Sequence, residues 1–86
     1  MEMYDPPTTG EFIAEIYLRP NNLSARQLAE KLGVSPSTVS RLLNGHTKIT
    51  HAMAERLSRV TGRSVASWIR LQEMQDRWQE RLRNAA

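Results

Sequence analysis

The 86 residues contain no cysteine, so disulfides and thiolate metal sites are excluded and the fold must stand on packing alone. No apolar run approaches the length of a membrane span, and the acidic, proline-containing start, with Asp5-Pro6-Pro7, does not read as a signal peptide. A soluble, cytoplasmic protein without membrane contact is therefore expected. Internal repeats and low-complexity segments are also missing, which points to one compact domain. Such a chain has room for a single small core and not for a buried catalytic cleft of any size.

Reactive constellations are equally scarce. His51 and Glu55 stand four apart on a predicted helix, but no third ligand lies at metal spacing and His46 falls in a loop. Ser35, Ser37, Ser40 and Asp76 have neither an oriented histidine nor an oxyanion glycine loop with which to form a nucleophilic triad. No enzymatic activity, metal or cofactor is expected. Trp68 and Trp78, at helical spacing to Leu71 and Leu82, read as packing residues rather than as a stacking platform for single strands.

What the chain does have is a basic body behind an acidic start. Twelve Lys+Arg against nine Asp+Glu give a net charge of +3, with a pI near 10.0. Apart from Arg19, every base lies at or beyond Arg26, whereas Glu2, Asp5, Glu11 and Glu15 crowd the N-terminal segment. The helical body is thus compatible with a polyanionic partner.

The most informative stretch runs from Ser24 to Gly45, SARQLAEKLGVSPSTVSRLLNG. Ser24 with Gln27 forms a capping box, Leu28, Ala29 and Leu32 mark one apolar face, and Gly33 supplies a left-handed stop. Ser35 caps a second helix, Pro36 suits its first position, Val39, Leu42 and Leu43 face inward, and Gly45 ends it. Two short helices joined by a glycine turn make a helix-turn-helix. Ala29 is small where the helices cross steeply, and Val39 can plug the angle between them. The outward face of the second helix carries Ser37, Thr38, Ser40, Arg41 and Asn44 with no acid among them, a face able to approach phosphates.

Elsewhere the signals are helical throughout. Residues 1–8 are expected to form an extended arm, because Asp5-Pro6-Pro7 cannot be helical. Thr8 and Glu11 open a first helix over about residues 9–18, with Phe12, Ile13, Ile16 and Tyr17 on one face and Arg19-Pro20 closing it. Leu23 is expected to tuck beneath Ser24. After the loop His46-Thr47-Lys48-Ile49, Thr50 caps a fourth helix with a buried stripe of Met53, Leu57 and Val60, close approach at Ala52 and Ala54, and a stop at Gly62. Ser64 starts the longest helix, about 65–83, along which Trp68, Leu71, Gln75, Trp78 and Leu82 recur. Trp78 and Leu82 exceed what a monomer core of this size needs: either Trp78 folds back onto the first helix or it meets another chain, and a homodimer through this helix is expected.

The order of these signals, PPTTGEFI, LSARQLAEKLGVSPSTVSRLLNGHTKIT, AERLSRVTGRSVASWIRLQ and DRW, resembles the HigA-type antitoxins of bacterial toxin–antitoxin modules, within the lambda-repressor-like (XRE-type) helix-turn-helix superfamily. The helix-turn-helix marks only the superfamily. Gly10-Glu11 and the series Trp68, Leu71, Gln72, Asp76, Trp78 narrow the resemblance to this group. It implies an all-α, five-helix DNA-binding domain over residues 9–86 and a homodimer on a palindromic operator. It further implies repression of its own operon and neutralisation of a RelE-like ribonuclease toxin, bound away from residues 35 to 45.

By the same resemblance, Ser24, Ser35, Thr38 and Asn44 match phosphate-contacting positions, and Ser37 and Arg41 match positions that reach base edges. Pro36 and Ser40 flank the base-contact set, while Arg26 and Lys48 are placed to hold phosphates. Two departures bear on readout. The first residue of the second helix, often a phosphate-contacting glutamine, is Ala25, so that phosphate is either left unheld or held by Arg26. Pro36 fills a position that can carry a base-reading side chain, which shifts specificity toward DNA shape. Two alternatives stay open at this point: a stand-alone or phage-type repressor without a toxin, and a protein-interaction module that does not bind DNA.

Overall fold

A computed structural model describes residues 8–85. The expected arm lies outside the described residues except for Thr8. Among the described residues there are five α-helices and no strand: α1 (Thr9–Ile13), continued by a π-helical segment (Ala14–Leu18), then α2 (Ala25–Leu32), α3 (Pro36–Leu43), α4 (His51–Thr61) and α5 (Val65–Ala85). This is the lambda-repressor-like arrangement, and α5 runs two residues beyond its expected end.

The caps read from the sequence set most of these boundaries. Thr8, Ser24, Ser35 and Thr50 are extended and each accepts a backbone N–H three residues on, which satisfies one of the donors a helix start leaves over. Ser64 does the same for α5, accepting from the Ser67 N–H at 3.1 Å. The core is one cluster of Ile13, Leu18, Leu28, Ala29, Leu32, Val39, Leu42, Ile49, Ala54, Leu57 and Trp68, to which every helix contributes.

Trp68 is the hub where α5 meets the N-terminal helix. Its indole is fully buried, donates Nε1–H to Thr61 Oγ1 at 3.2 Å, and stands edge-on to Phe12 with ring centroids 6.1 Å apart. The Arg63 guanidinium covers both rings, 4.8 Å from the Phe12 centroid and 5.9 Å from that of Trp68.

Two expected core positions face solvent instead. Ile16 is 40% exposed because residues 14–18 wind as a π-helix, with the Arg19 N–H bonding the Ala14 carbonyl five residues back. Along this wider turn Leu18, rather than Ile16, joins Ile13 in the buried cluster. Ala52 is also exposed, and Ala54 alone provides the close approach on α4. Leu23 is half-buried against the core, and its N–H bonds the Leu18 carbonyl at 2.8 Å, so the link before α2 is pinned by backbone as well as by packing.

Candidate nucleic-acid interface

The entry to the helix-turn-helix is tied from both ends of the capping box. The Gln27 N–H donates to Ser24 Oγ at 3.2 Å, and the Ser24 N–H donates to Gln27 Oε1 at 2.8 Å. At the turn, Gly33 takes a left-handed φ of 74°, where a Cβ would be strained. The Val34 N–H reaches the Ala29 carbonyl at 3.1 Å and the Gly33 N–H that of Glu30 at 3.2 Å, the bond pair of a Schellman stop. Arg56 of α4 adds a bond from Nη1 to the Leu32 carbonyl at 2.7 Å. Ala29 and Val39 are both buried in the angle between α2 and α3, as their sizes and spacing require.

From this elbow α3 projects. Ser35 Oγ accepts the Thr38 N–H at 3.2 Å and lies 2.8 Å from the Thr38 hydroxyl and 3.4 Å from that of Ser37, so three small hydroxyls gather at the helix start. Pro36 fills the first helical position, whose N–H would have no partner within the helix. The far end repeats the stop seen at Gly33. Gly45 has φ 77°, the His46 N–H bonds the Arg41 carbonyl at 2.8 Å, and the Gly45 N–H bonds that of Leu42 at 3.2 Å.

Pro36, Ser37, Ser40, Arg41 and Asn44 are exposed, and Thr38 is half-buried. Ser37 and Arg41 lie one turn apart on the same stripe. The Arg41 side chain has no hydrogen-bond or ion-pair partner among the described residues, and neither has that of Arg26 in the exposed first turn of α2. Asn44 is turned back along the helix, its Nδ2 3.4 Å from Ser40 Oγ. The structure thus gathers Ser35, Ser37 and Thr38 at one end of a helix and leaves Arg41 free along it. With no acid in α3 and the positive end of its own dipole at the three hydroxyls, the surface favours anions.

Lys48 differs from the free ammonium that its loop position suggests. Its Nζ lies 3.0 Å from Asp76 Oδ1 on α5. The same carboxylate oxygen accepts Gln72 Nε2 at 3.1 Å, while Gln72 Oε1 accepts the Ile49 N–H at 2.9 Å. Burial pushes the Asp76 carboxyl up, but the Gln72 amide and the Lys48 ammonium outweigh it and hold the group below its ordinary value. The loop after α3 is therefore held by two side chains of α5. The sequence reading has both as members of the family series, and Asp76 also as a rejected triad candidate; their shared face four residues apart is the available signal, with no indication of what they hold.

Other candidates gather less. His51 Nδ1 and Glu55 Oε1 pair at 2.9 Å, and among the described residues no group of three acids or histidines could hold a metal ion. No helix among them is long and apolar enough to cross a membrane. A cleft of about 250 Å³ opens between Thr8–Gly10, Gly45 and the middle of α5. On α5, Trp78 is half-buried, whereas Met74 and Leu82 are 44% and 42% exposed.

A helix-turn-helix family model matches residues 13–68. Among curated relatives, the HTH-type transcriptional regulator YbaQ of Escherichia coli is 39% identical over 74 residues, which cover 86% of this chain and 66% of the relative. The chain thus spans just under two thirds of that protein. Antitoxin HigA-1 of Vibrio cholerae is 33% identical over 78 residues, 91% of this chain and 73% of the relative. Among solved structures, the Pseudomonas aeruginosa antitoxin HigA with the higBA promoter superposes with a TM-score of 0.88 at 28% identity, over 94% of this chain and 88% of that one. These relatives are an HTH-type transcriptional regulator and two antitoxins, one of them solved with promoter DNA. By sequence and by fold together, the chain belongs to the HigA-type antitoxins of the lambda-repressor-like helix-turn-helix superfamily.

Proposed function

We propose that this protein binds a palindromic operator as a homodimer, represses the operon that encodes it, and neutralises a RelE-like toxin from the same operon. The observation that carries the DNA-binding part is the outward face of α3, where Arg41 stands without a partner one turn from Ser37 and no acid intervenes. Ser37 and Arg41 then read base edges, with Pro36 and Ser40 beside them. Ser24, Arg26, Ser35, Thr38, Asn44 and Lys48 hold phosphates. Ser24 and Arg26 belong to the start of α2, Ser35 and Thr38 to the start of α3, Asn44 to its end and Lys48 to the loop that follows.

The stripe Met74, Trp78, Leu82 on α5 supports the dimer, since its members recur every four residues and keep apolar area in water. A two-fold axis through α5 requires half-sites about one helical turn apart, roughly 34–36 Å, or a multiple of it. The toxin is assigned a surface away from residues 35–45, so that the complex can still reach the operator. This part rests on the family alone.

Footprinting on the region upstream of the protein's own reading frame tests the DNA-binding part, with scrambled DNA as control. Symmetric protection of two half-sites is expected; protection of one asymmetric half-site refutes the two-fold model, and equal affinity for both DNAs refutes sequence-specific repression. The toxin part is tested by looking for a short ribonuclease-like reading frame beside this one and co-expressing the two; absence of such a frame counts against a toxin. Failure to form a complex or to relieve growth arrest leaves a repressor without a toxin, the reading toward which the description of the Escherichia coli relative as a transcriptional regulator leans.

A further inference from the structure

Lys48 is the one base of the proposed phosphate set that already has an anion. Its Nζ lies 3.0 Å from Asp76 Oδ1, with 72% of the Lys48 side chain and 43% of the Asp76 side chain exposed. Gln72 fixes both partners: it donates to the same Asp76 oxygen and accepts from the N–H of Ile49, the residue beside Lys48. Ile49 is itself buried, so the loop cannot swing away from α5 without losing its anchor. Asp76 therefore sits at fixed reach of Lys48 and offers it a carboxylate where DNA would offer a phosphate.

We propose that Asp76 is a positioning residue that competes with the DNA backbone for Lys48 and so sets how firmly the protein holds DNA of any sequence. This inference rests on the DNA-binding reading above. In the free protein the ammonium is held by Asp76; on DNA it exchanges to a phosphate, and the carboxylate left behind offsets part of the gain. An exposed ion pair is weak enough to be given up in this way, and the phosphate it is exchanged for lies in a far denser negative field. The effect falls on all sequences alike, because Lys48 meets phosphate and not base edges. Gln72 keeps the loop in place throughout, so the exchange moves a side chain and leaves the backbone of residues 45–50 where it was.

The test is a double-mutant cycle of Asp76→Asn and Lys48→Ala, read as affinity for operator and scrambled DNA over a salt series. Asparagine keeps an oxygen for Gln72, and Asp76→Gln serves as a second neutral variant if the first does not fold. With Lys48 present, either neutral variant should tighten binding to both DNAs by about two- to five-fold. It should also steepen the salt dependence by up to about one counterion per subunit. Asp76→Glu should return binding toward wild type. In the Lys48→Ala background the same substitution should change nothing. An equal gain without Lys48 would mean that Asp76 acts by general repulsion, and no gain with Lys48 present would mean that the pair survives on DNA; either result overturns the inference. If wild-type protein binds neither DNA, the DNA-binding reading falls instead.

Discussion

Gly10 lies with its backbone directly against the carbonyl of Leu43, so that a Cβ built at Gly10 would overlap the Leu43 oxygen and carbon. The first turn of α1 thereby seats the last turn of α3, the helix on which DNA contact is proposed. Neither side of the contact is a flexible side chain that could move aside. Gly10→Ala should therefore destabilise the protein by about 1–3 kcal/mol, the usual cost of forcing atoms into a packed site. Thermal unfolding should show a midpoint lower by several degrees or more. An unchanged midpoint would mean that α1 can slide on α3 at no cost.

Arg41 and Lys48 should fail differently. Arg41→Ala is expected to cost about 1–3 kcal/mol on the operator and to flatten discrimination at one base pair, because a guanidinium fork matches guanine O6 and N7. Lys48→Ala should weaken operator and scrambled DNA equally and lower the salt slope by at most about one per subunit, its charge being partly offset by Asp76. Titrations of both variants on both DNAs decide between them. Equal loss on the two DNAs for Arg41→Ala would make it a phosphate clamp.

Replacing Trp78 and Leu82 together by glutamine should convert a dimer into folded monomer. Leu82 already keeps much of its surface in water, and Trp78 is only half-buried, so the monomer core loses little. Sedimentation at tens of micromolar, roughly, is the measurement. A wild type that sediments as monomer there removes α5 as the dimer contact.

Asp76 also carries a pH signature. Its folded-state value lies below the ordinary one, so the pair's contribution to stability is fully present above the unfolded-state pKa, about 3.9 for aspartate, and is lost as pH falls through the lower folded value. Unfolding midpoints of wild type and Asp76→Asn should differ by a small, constant amount near neutrality and converge in acid. A difference that grows as the pH falls would have the wrong sign for a carboxylate held down by Lys48 and Gln72.

Much of the helix-turn-helix was legible because its determinants are local. Ser24 and Gln27, Ser35 and Pro36, Gly33 and Gly45 each act within a few residues of themselves, and the structure forms the bonds that their types predict. Ile16 was misplaced for the same reason: helical periodicity assumes 3.6 residues per turn, and nothing local announces a π-helical turn. The ion pair of Lys48 joins residues 28 apart on different elements, beyond any spacing rule. Gly10 was read as a family mark, and only the position of Leu43, supplied by a different helix, explains why that site has no room for a methyl group.

The bond from Arg56 to the Leu32 carbonyl makes the elbow between α2 and α3 a dependent of α4. The Leu32 carbonyl is one of those a helix end leaves without an internal partner, and here the guanidinium that caps it comes from 24 residues further along the chain. Loosening α4 thus uncovers the end of α2, and the elbow loses its brace in the same event. Amide hydrogens of α2 and α4 should accordingly exchange with solvent as one cooperative unit rather than helix by helix, so that the angle at which α3 is presented persists for as long as α4 stays folded.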